Sequence, residues 1–355
     1  MNLLIDIGHP AHVHLLKNFA RIMQKTGHSV LFTCRDKEVA IQLLKAYKFD
    51  FIVLGKPFKN IVGKMWGMIK FDLLLLKIAL RFKPDILLSA GSIYAAQVAW
   101  FLHKPHITFE DTGNMEQVRL YKPFSKIILV STAFHKELGK KQIRYKGYHE
   151  WAYLHPGYFQ PDDSIYENLK IKREEPFVIV RFVSWGASHD IGQSGFTPGL
   201  KTGIVNELAK HFKVFISSEN DLPASLEKFQ IKIPPEKMHD ALAFAALFIG
   251  EGATMASECA MLGTPAIYVN SITAGTLEEQ EKYGLLYSFR NSAGVLEKTR
   301  ELTKILNLKE IHRERRQKML ADKIDVTKFM CWFVESYPES VTIMRSDPDY
   351  QLRFK

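Results

Sequence analysis

Short apolar runs alternate along this chain with longer segments in which apolar residues recur every three or four positions. In the first half the runs 3–7, 29–33, 51–54, 86–89, 106–109 and 126–130 read as buried parallel strands, apolar on consecutive positions rather than on every second one. Segments 14–25, 37–47, 94–102 and 133–139 carry the helical period between them. After a polar, proline-bearing stretch at 156–176 the rhythm restarts, with strands at 177–182, 214–217, 247–249 and 266–269 and helices at 201–211, 238–246 and 254–262. A last helix is expected at 326–336. Repeated βαβ order predicts an α/β protein of two Rossmann-like, doubly wound domains, 1–165 and 166–325, with 326–355 packing back on the first. A ligand cleft is expected between them, at the carboxyl ends of both sets of strands.

Composition narrows the class. With 46% hydrophobic and 24% charged residues in 355, the chain can bury a full core, which excludes disorder, collagen and coiled coil. Apolar stretches such as 73–76 and 241–249 fall far short of the roughly 18 residues a membrane span needs. Met1 leads straight into the first strand, with no room for a secretory leader, so a cytoplasmic location is expected. Cys34, Cys259 and Cys331 are odd in number and widely spaced, which fits buried thiols better than disulfides or a zinc site. Charge is lopsided: residues 1–150 hold 23 Lys+Arg against 11 Asp+Glu, and the remainder 25 against 27. A one-sided basic field of this kind calls for an anionic partner. No nucleic-acid motif accompanies it, so nucleic acid is not the expected partner.

Several clusters carry candidate chemistry. Gly8-His9-Pro10-Ala11-His12-Val13-His14 follows the first strand; Pro10 and the turn break metal-ligand spacing, and no metal is expected. His12 suits a general base on a substrate hydroxyl, the alternative being that these histidines cap the helix or line a wall. The cassette 248–265 reads as strand, small-residue turn and helix. Gly252, Ala253 and Thr254 would cradle a diphosphate at the helix N-terminus, and Glu258, one turn in, would accept from two ribose hydroxyls. Its alternative is an ordinary turn with an exposed Glu. Ser184, Trp185, Gly186, Ser188 and His189, after the first strand of the second domain, form a candidate phosphate-facing loop, and the helix opening at 234–239 with Met238 a candidate base contact. Glu110 and Asp111 end a first-domain strand; successive side chains there point apart, so one of them would face substrate. In 58–83, Lys64, Lys70 and Lys77 stand among Trp66 and other apolar residues, which suits either a segment lying on anionic lipid or a buried helix with snorkelling lysines.

On segments 8–20, 84–113, 180–190 and 235–265 the chain resembles GT-B glycosyltransferases and the related UDP-N-acetylglucosamine 2-epimerases, and is similar to the predicted glycosyltransferases catalogued as domain of unknown function 354. The resemblance implies a GT-B fold, a nucleotide-sugar donor held by 252–254 and Glu258, and His12 in the place of the loop histidine of the enzyme that makes lipid II. It places Glu110 on a catalytic Glu of the epimerases, while Ser92 stands where they have a catalytic Asp. The expected function is metal-independent transfer of a sugar from a nucleotide-sugar, UDP-linked, to an acceptor, in cell-surface polysaccharide synthesis. No cofactor is expected. The acceptor is expected on a lipid carrier at an anionic inner membrane face. Alternatives are a UDP-sugar 2-epimerase or hydrolase and a non-catalytic nucleotide-sugar-binding or docking subunit; oligomeric state is left open.

Overall fold

The structure, a computed structural model, describes residues 1–56, 58, 61–183 and 195–355. Met1–Tyr153 with Lys323–Lys355 form one compact unit and Leu154–Asp322 another.

In the first unit the strands β1 (Asn2–Ile7), β2 (Ser29–Cys34), β3 (Phe51–Val53), β4 (Ile86–Ala90), β5 (His106–Glu110), β6 (Ile127–Ser131) and β7 (Gln142–Tyr145) form one parallel sheet. Its order is β3-β2-β1-β4-β5-β6-β7. The helices are α1 (Pro10–Lys25), α2 (Glu38–Ala46), α3 (Ile61–Phe82), α4 (Ile93–Phe101), α5 (Met115–Tyr121) and the short α6 (Trp151–Leu154). Strand order reverses between β1 and β4. Right-handed crossovers therefore put α1 and α2 on one face and α3, α4 and α5 on the other. The loops leaving β1 and β4 open at this switch point, where open α/β sheets bind their ligands.

The second unit contains α7 (Ile165–Leu169), β8 (Phe177–Phe182), α8 (Pro198–Leu208), β9 (Lys213–Ser218), α9 (Met238–Phe244), β10 (Leu247–Gly250) and α10 (Ala253–Leu262). It continues with β11 (Ala266–Val269), α11 (Gly275–Lys282), β12 (Leu286–Phe289), α12 (Val295–Thr303) and α13 (Leu308–Asp322), and its parallel sheet runs β12-β11-β10-β8-β9. The chain then returns to the first unit as α14 (Val326–Glu335), which packs on α1, and α15 (Glu339–Ser346).

Burial on both sheet faces explains the continuous apolar runs. Val178 and Val180 of β8 join Ile249 and Val269 under Ile204 of α8 and Val295 of α12. Phe177 and Ile179 point the other way, to Phe248, Tyr268, Leu242 and Ala256. Each such side chain contributes about 1.5–3 kcal/mol by leaving water. All three cysteines are buried and free.

The expected helix at 133–139 does not form. Arg144 donates to the carbonyls of Ser131 (3.4 Å), Phe134 (2.5 Å) and Lys136 (3.3 Å), and the Leu138 amide donates to Gln142 Oε1 (2.5 Å), so side chains take the groups a helix would pair. Gly139 then turns at φ +76°, a conformation costly for other residues, and leads into β7, which the polar Gln142-Ile-Arg-Tyr145 had hidden. The expected pattern also lacked β12 and α5, together with α7, α11, α12, α13 and α15.

Candidate functional site

Asp6, the next-to-last residue of β1, is buried. Its carboxylate accepts from Thr33 Oγ1 (2.8 Å), Arg35 Nη1 (2.5 Å) and Ser92 Oγ (2.5 Å), so it ties β2 and the start of α4 to β1. Ser92 also caps α4, accepting from the Ala95 amide. A buried carboxylate with these partners is a structural anchor for the switch-point loops.

His9 caps α1: its Nδ1 accepts from the Ala11 amide (3.2 Å). His12 sits one turn further and accepts from the Gly8 amide through Nδ1 (3.3 Å). Burial, His9, Arg35 and His149 push its pKa down to about 3 against the opposing charge of Asp111. His12 is therefore neutral at neutral pH, with its proton on Nε2.

The carboxylate pair at the end of β5 divides. Glu110 is buried and both of its oxygens are occupied: Oε1 accepts from Thr112 Oγ1 and the Gly113 amide (2.8 Å each), Oε2 from the Tyr121 hydroxyl (2.5 Å). Asp111 turns the other way, its side chain 46% exposed, and pairs with Nδ1 of the buried His149 at 3.0 Å. Burial alone would lower the His149 pKa, but the charge and hydrogen bond of Asp111, with Glu150 and Glu110 behind, raise it. Burial alone would raise that of Asp111, but His149, His12 and His9 hold it below the usual carboxylate range. His149 stacks on Tyr145 and meets Phe109 edge-on, and its Nε2 is buried with no hydrogen-bond partner among the described residues. The resulting group, His12, Asp111 and His149, joins the ends of β1 and β5 to the turn after β7. His149 lacked any periodic or spacing signal in the sequence.

In the second unit, Gly250 ends β10 where a Cβ would lie 2.6 Å from Phe248 Cζ and 2.7 Å from Arg181 Cβ, so only glycine fits. Glu251, next along and buried, accepts from the amides of Val183 (3.1 Å) and Phe196 (2.8 Å), with Lys201 Nζ 3.6 Å away. It thereby fixes residues on both sides of 184–194. Ser184, Trp185, Gly186, Ser188 and His189 lie outside the described residues. Gly252, which has no side chain of its own to cap the helix, precedes α10, with Ala253 and Thr254 as its first residues. Uncapped helical amides at such an end suit an anion. Glu258 is buried one turn in, its Oε1 2.9 Å from His239 Nε2, and Met238 opens the same α9 that carries His239. Glu258 is thus held by a partner rather than exposed, and Glu251 and His239, which lie in segments the sequence had singled out without giving them a role, are the groups that hold the candidate site's loop and carboxylate.

Of the basic segment, Trp66 is exposed on α3, Lys70 Nζ lies 5.8 Å over the Phe58 ring, and Lys77 rims a groove beside β3. The side chain of Lys64 lies outside the described ones. Among the described residues no group of three or more His, Cys, Asp or Glu is placed to hold a metal ion, and no helix is long and apolar enough to cross a membrane.

The family described as a protein of unknown function (DUF354) matches residues 1–339, and the chain belongs to it. No curated protein matches the chain. Among solved structures, S. aureus MnaA with UDP aligns over 96% of this chain and 98% of its own at 9% identity and TM-score 0.69. The UDP-GlcNAc 2-epimerase of Neisseria meningitidis bound to UDP-GlcNAc aligns over 98% and 99% at 13% identity and TM-score 0.65. The glycosyltransferase SsfS6 of Streptomyces sp. SF2575 with thymidine diphosphate aligns over 93% and 99% at 15% identity and TM-score 0.58. At these identities the likeness establishes the fold, GT-B, with two Rossmann-like domains.

Proposed function

We propose that this DUF354 member is an enzyme acting on a nucleotide-sugar, and specifically a glycosyltransferase that moves the sugar of a UDP-linked donor to an acceptor hydroxyl. The observation that carries the reading is Asp111: an exposed carboxylate kept ionised by a buried His149 at the carboxyl end of β5, one strand from the switch point. Asp111 accepts the proton of the acceptor hydroxyl as its oxygen attacks the anomeric carbon and the bond to the diphosphate breaks. The departing diphosphate carries the charge away, and the α10 N-terminus at Gly252, Ala253 and Thr254 meets it without a metal or cofactor. Glu258 binds the ribose, Met238 borders the base, and Ser184, Trp185, Gly186, Ser188 and His189 are assigned to the phosphates from the sequence alone.

From the sequence, His12 is the expected base, with Glu110 or Asp111 able to share or replace it. Its low pKa and engaged Nδ1 make it a poor base, so His12 instead donates from Nε2 to a substrate oxygen. Glu110 is sealed by Tyr121, Thr112 and Gly113, and Ser92 by Asp6, which supports transfer over 2-epimerisation or hydrolysis at those positions.

Asp111→Asn tests the roles. Transfer through Asp111 predicts a loss of turnover of about 10²–10⁴-fold with UDP affinity unchanged. Full activity in Asp111→Asn, with loss in Glu110→Gln, refutes the assignment.

A further inference from the structure

Helix α3 has two apolar faces. Phe71, Leu75 and Ala79 are buried in the first unit's core. On the opposite side Trp66 is 64% exposed, Ile69 54%, Leu73 62% and Leu80 58%. At the helical 100° per residue, these four fall within about 60° of the circumference. Lys70, Lys77 and Arg81 occupy the adjoining sector of about 40°. The helix carries a single acid, Asp72, whose pKa is pushed up to about 7 by burial and by Asp6, so little negative charge offsets the basic row.

The largest exposures of the first unit lie in one layer, while Val39 of α2 (43%) and Leu352 (37%) are isolated elsewhere. Trp100 and Phe101 of α4, each 60% exposed, and Leu120 of α5 belong to the same face of the sheet as α3. In the second unit, among the described residues, large exposed apolar side chains are restricted to Ile305 and Leu306, between α12 and α13. Beside the stripe, a groove of about 420 Å³ opens between α3 and the edge strand β3, lined by Ile52, Val53, Leu74 and Ile78, with Lys77 and Arg81 among its walls. Apolar patches of this kind mark an interaction surface.

We propose that the α3–α5 face is a docking surface for an anionic phospholipid bilayer: the Trp66–Leu80 stripe enters the headgroup boundary while Lys70, Lys77 and Arg81 pair with lipid phosphates. The basic excess of residues 1–150 is the complement of such a surface, and cations flanking an apolar stripe match its order of depth, acyl region and then phosphate. The inference is independent of the transferase reading.

The test is flotation of the full chain with vesicles of phosphatidylcholine alone and of equal parts phosphatidylcholine and phosphatidylglycerol. Binding is expected to the anionic vesicles, to weaken as salt is raised, and to fall about a hundredfold in the triple variant Lys70→Glu, Lys77→Glu, Arg81→Glu. Leu73→Glu is expected to abolish it. Thermal midpoints of the variants report that folding is intact. No binding to either vesicle, or equal binding by wild type and variants, overturns the proposal. So does a dimer, seen by sedimentation, that Leu73→Glu dissociates, because a second copy would then own the surface.

Discussion

At the scale of single residues, the Glu110-Asp111 pair shows how adjacent identical chemistry acquires opposite duties. Strand alternation sends Glu110 to Tyr121 and the Gly113 amide, and Asp111 to His149. Alternation was legible in the sequence, but which member faced the histidine loop depended on Tyr121 and His149, which lie far along the chain. In the proposed function His149 is a positioning residue. With Asp111 held below its usual range, the acid limb of kcat/KM lies below that of an ordinary carboxylate base, and His149→Gln moves it to higher pH; an unmoved limb contradicts the pairing. Buried histidines set a second pH dependence. His106 lies between Ser89 and Ser125 with its pKa pushed down by burial to about 3; burial likewise pushes His312 down to about 4. Each folded pKa is below the unfolded value, so the unfolded chain binds more protons as pH falls below about 6.5 and stability declines with acid. The loss runs from there down to about pH 4, the higher of the two folded values. Denaturant midpoints across that window check this, and a flat profile contradicts it.

At the scale of elements, strands buried on both faces announced themselves by unbroken apolar runs. Elements made by side-chain capture did not. Arg144 dismantles the apparent helix at 133–139, and β7 follows with two polar residues in four. Asp6 links three elements through Thr33, Arg35 and Ser92, a junction that no local pattern announces. Asp6→Ala strands the buried Arg35 guanidinium and is expected to cost about 3–5 kcal/mol, measured by denaturant unfolding; a loss under 1 kcal/mol shows that Arg35 has another counter-charge. Gly250→Ala forces a Cβ against Arg181 and Phe248 at the mouth of α10. A loss of about 1–3 kcal/mol is expected, together with weaker nucleotide binding by calorimetry. Unchanged stability shows that the strand end can yield.

At the scale of the whole molecule, the restart of the βαβ rhythm gave the two Rossmann-like sheets, and the charge split pointed to the basic half as the one that meets an anionic partner. The exposed stripe of α3 was less legible, because a leucine-rich run with lysines reads equally as a buried helix. Only burial separates Phe71, Leu75 and Ala79 from Trp66, Leu73 and Leu80. The proposed donor site was easier to read than the proposed acid/base group, since a strand, a small-residue turn and a helix are contiguous in sequence, whereas His12, Asp111 and His149 are not. The most direct measurement is to incubate purified protein with a panel of UDP-, dTDP- and GDP-sugars, with and without a membrane lipid extract, and to follow nucleotide and sugar by mass spectrometry. Transfer predicts release of UDP from one UDP-sugar that depends on the extract, with the sugar appearing on a component of it. A sugar epimerised or freed equally well without the extract contradicts transfer.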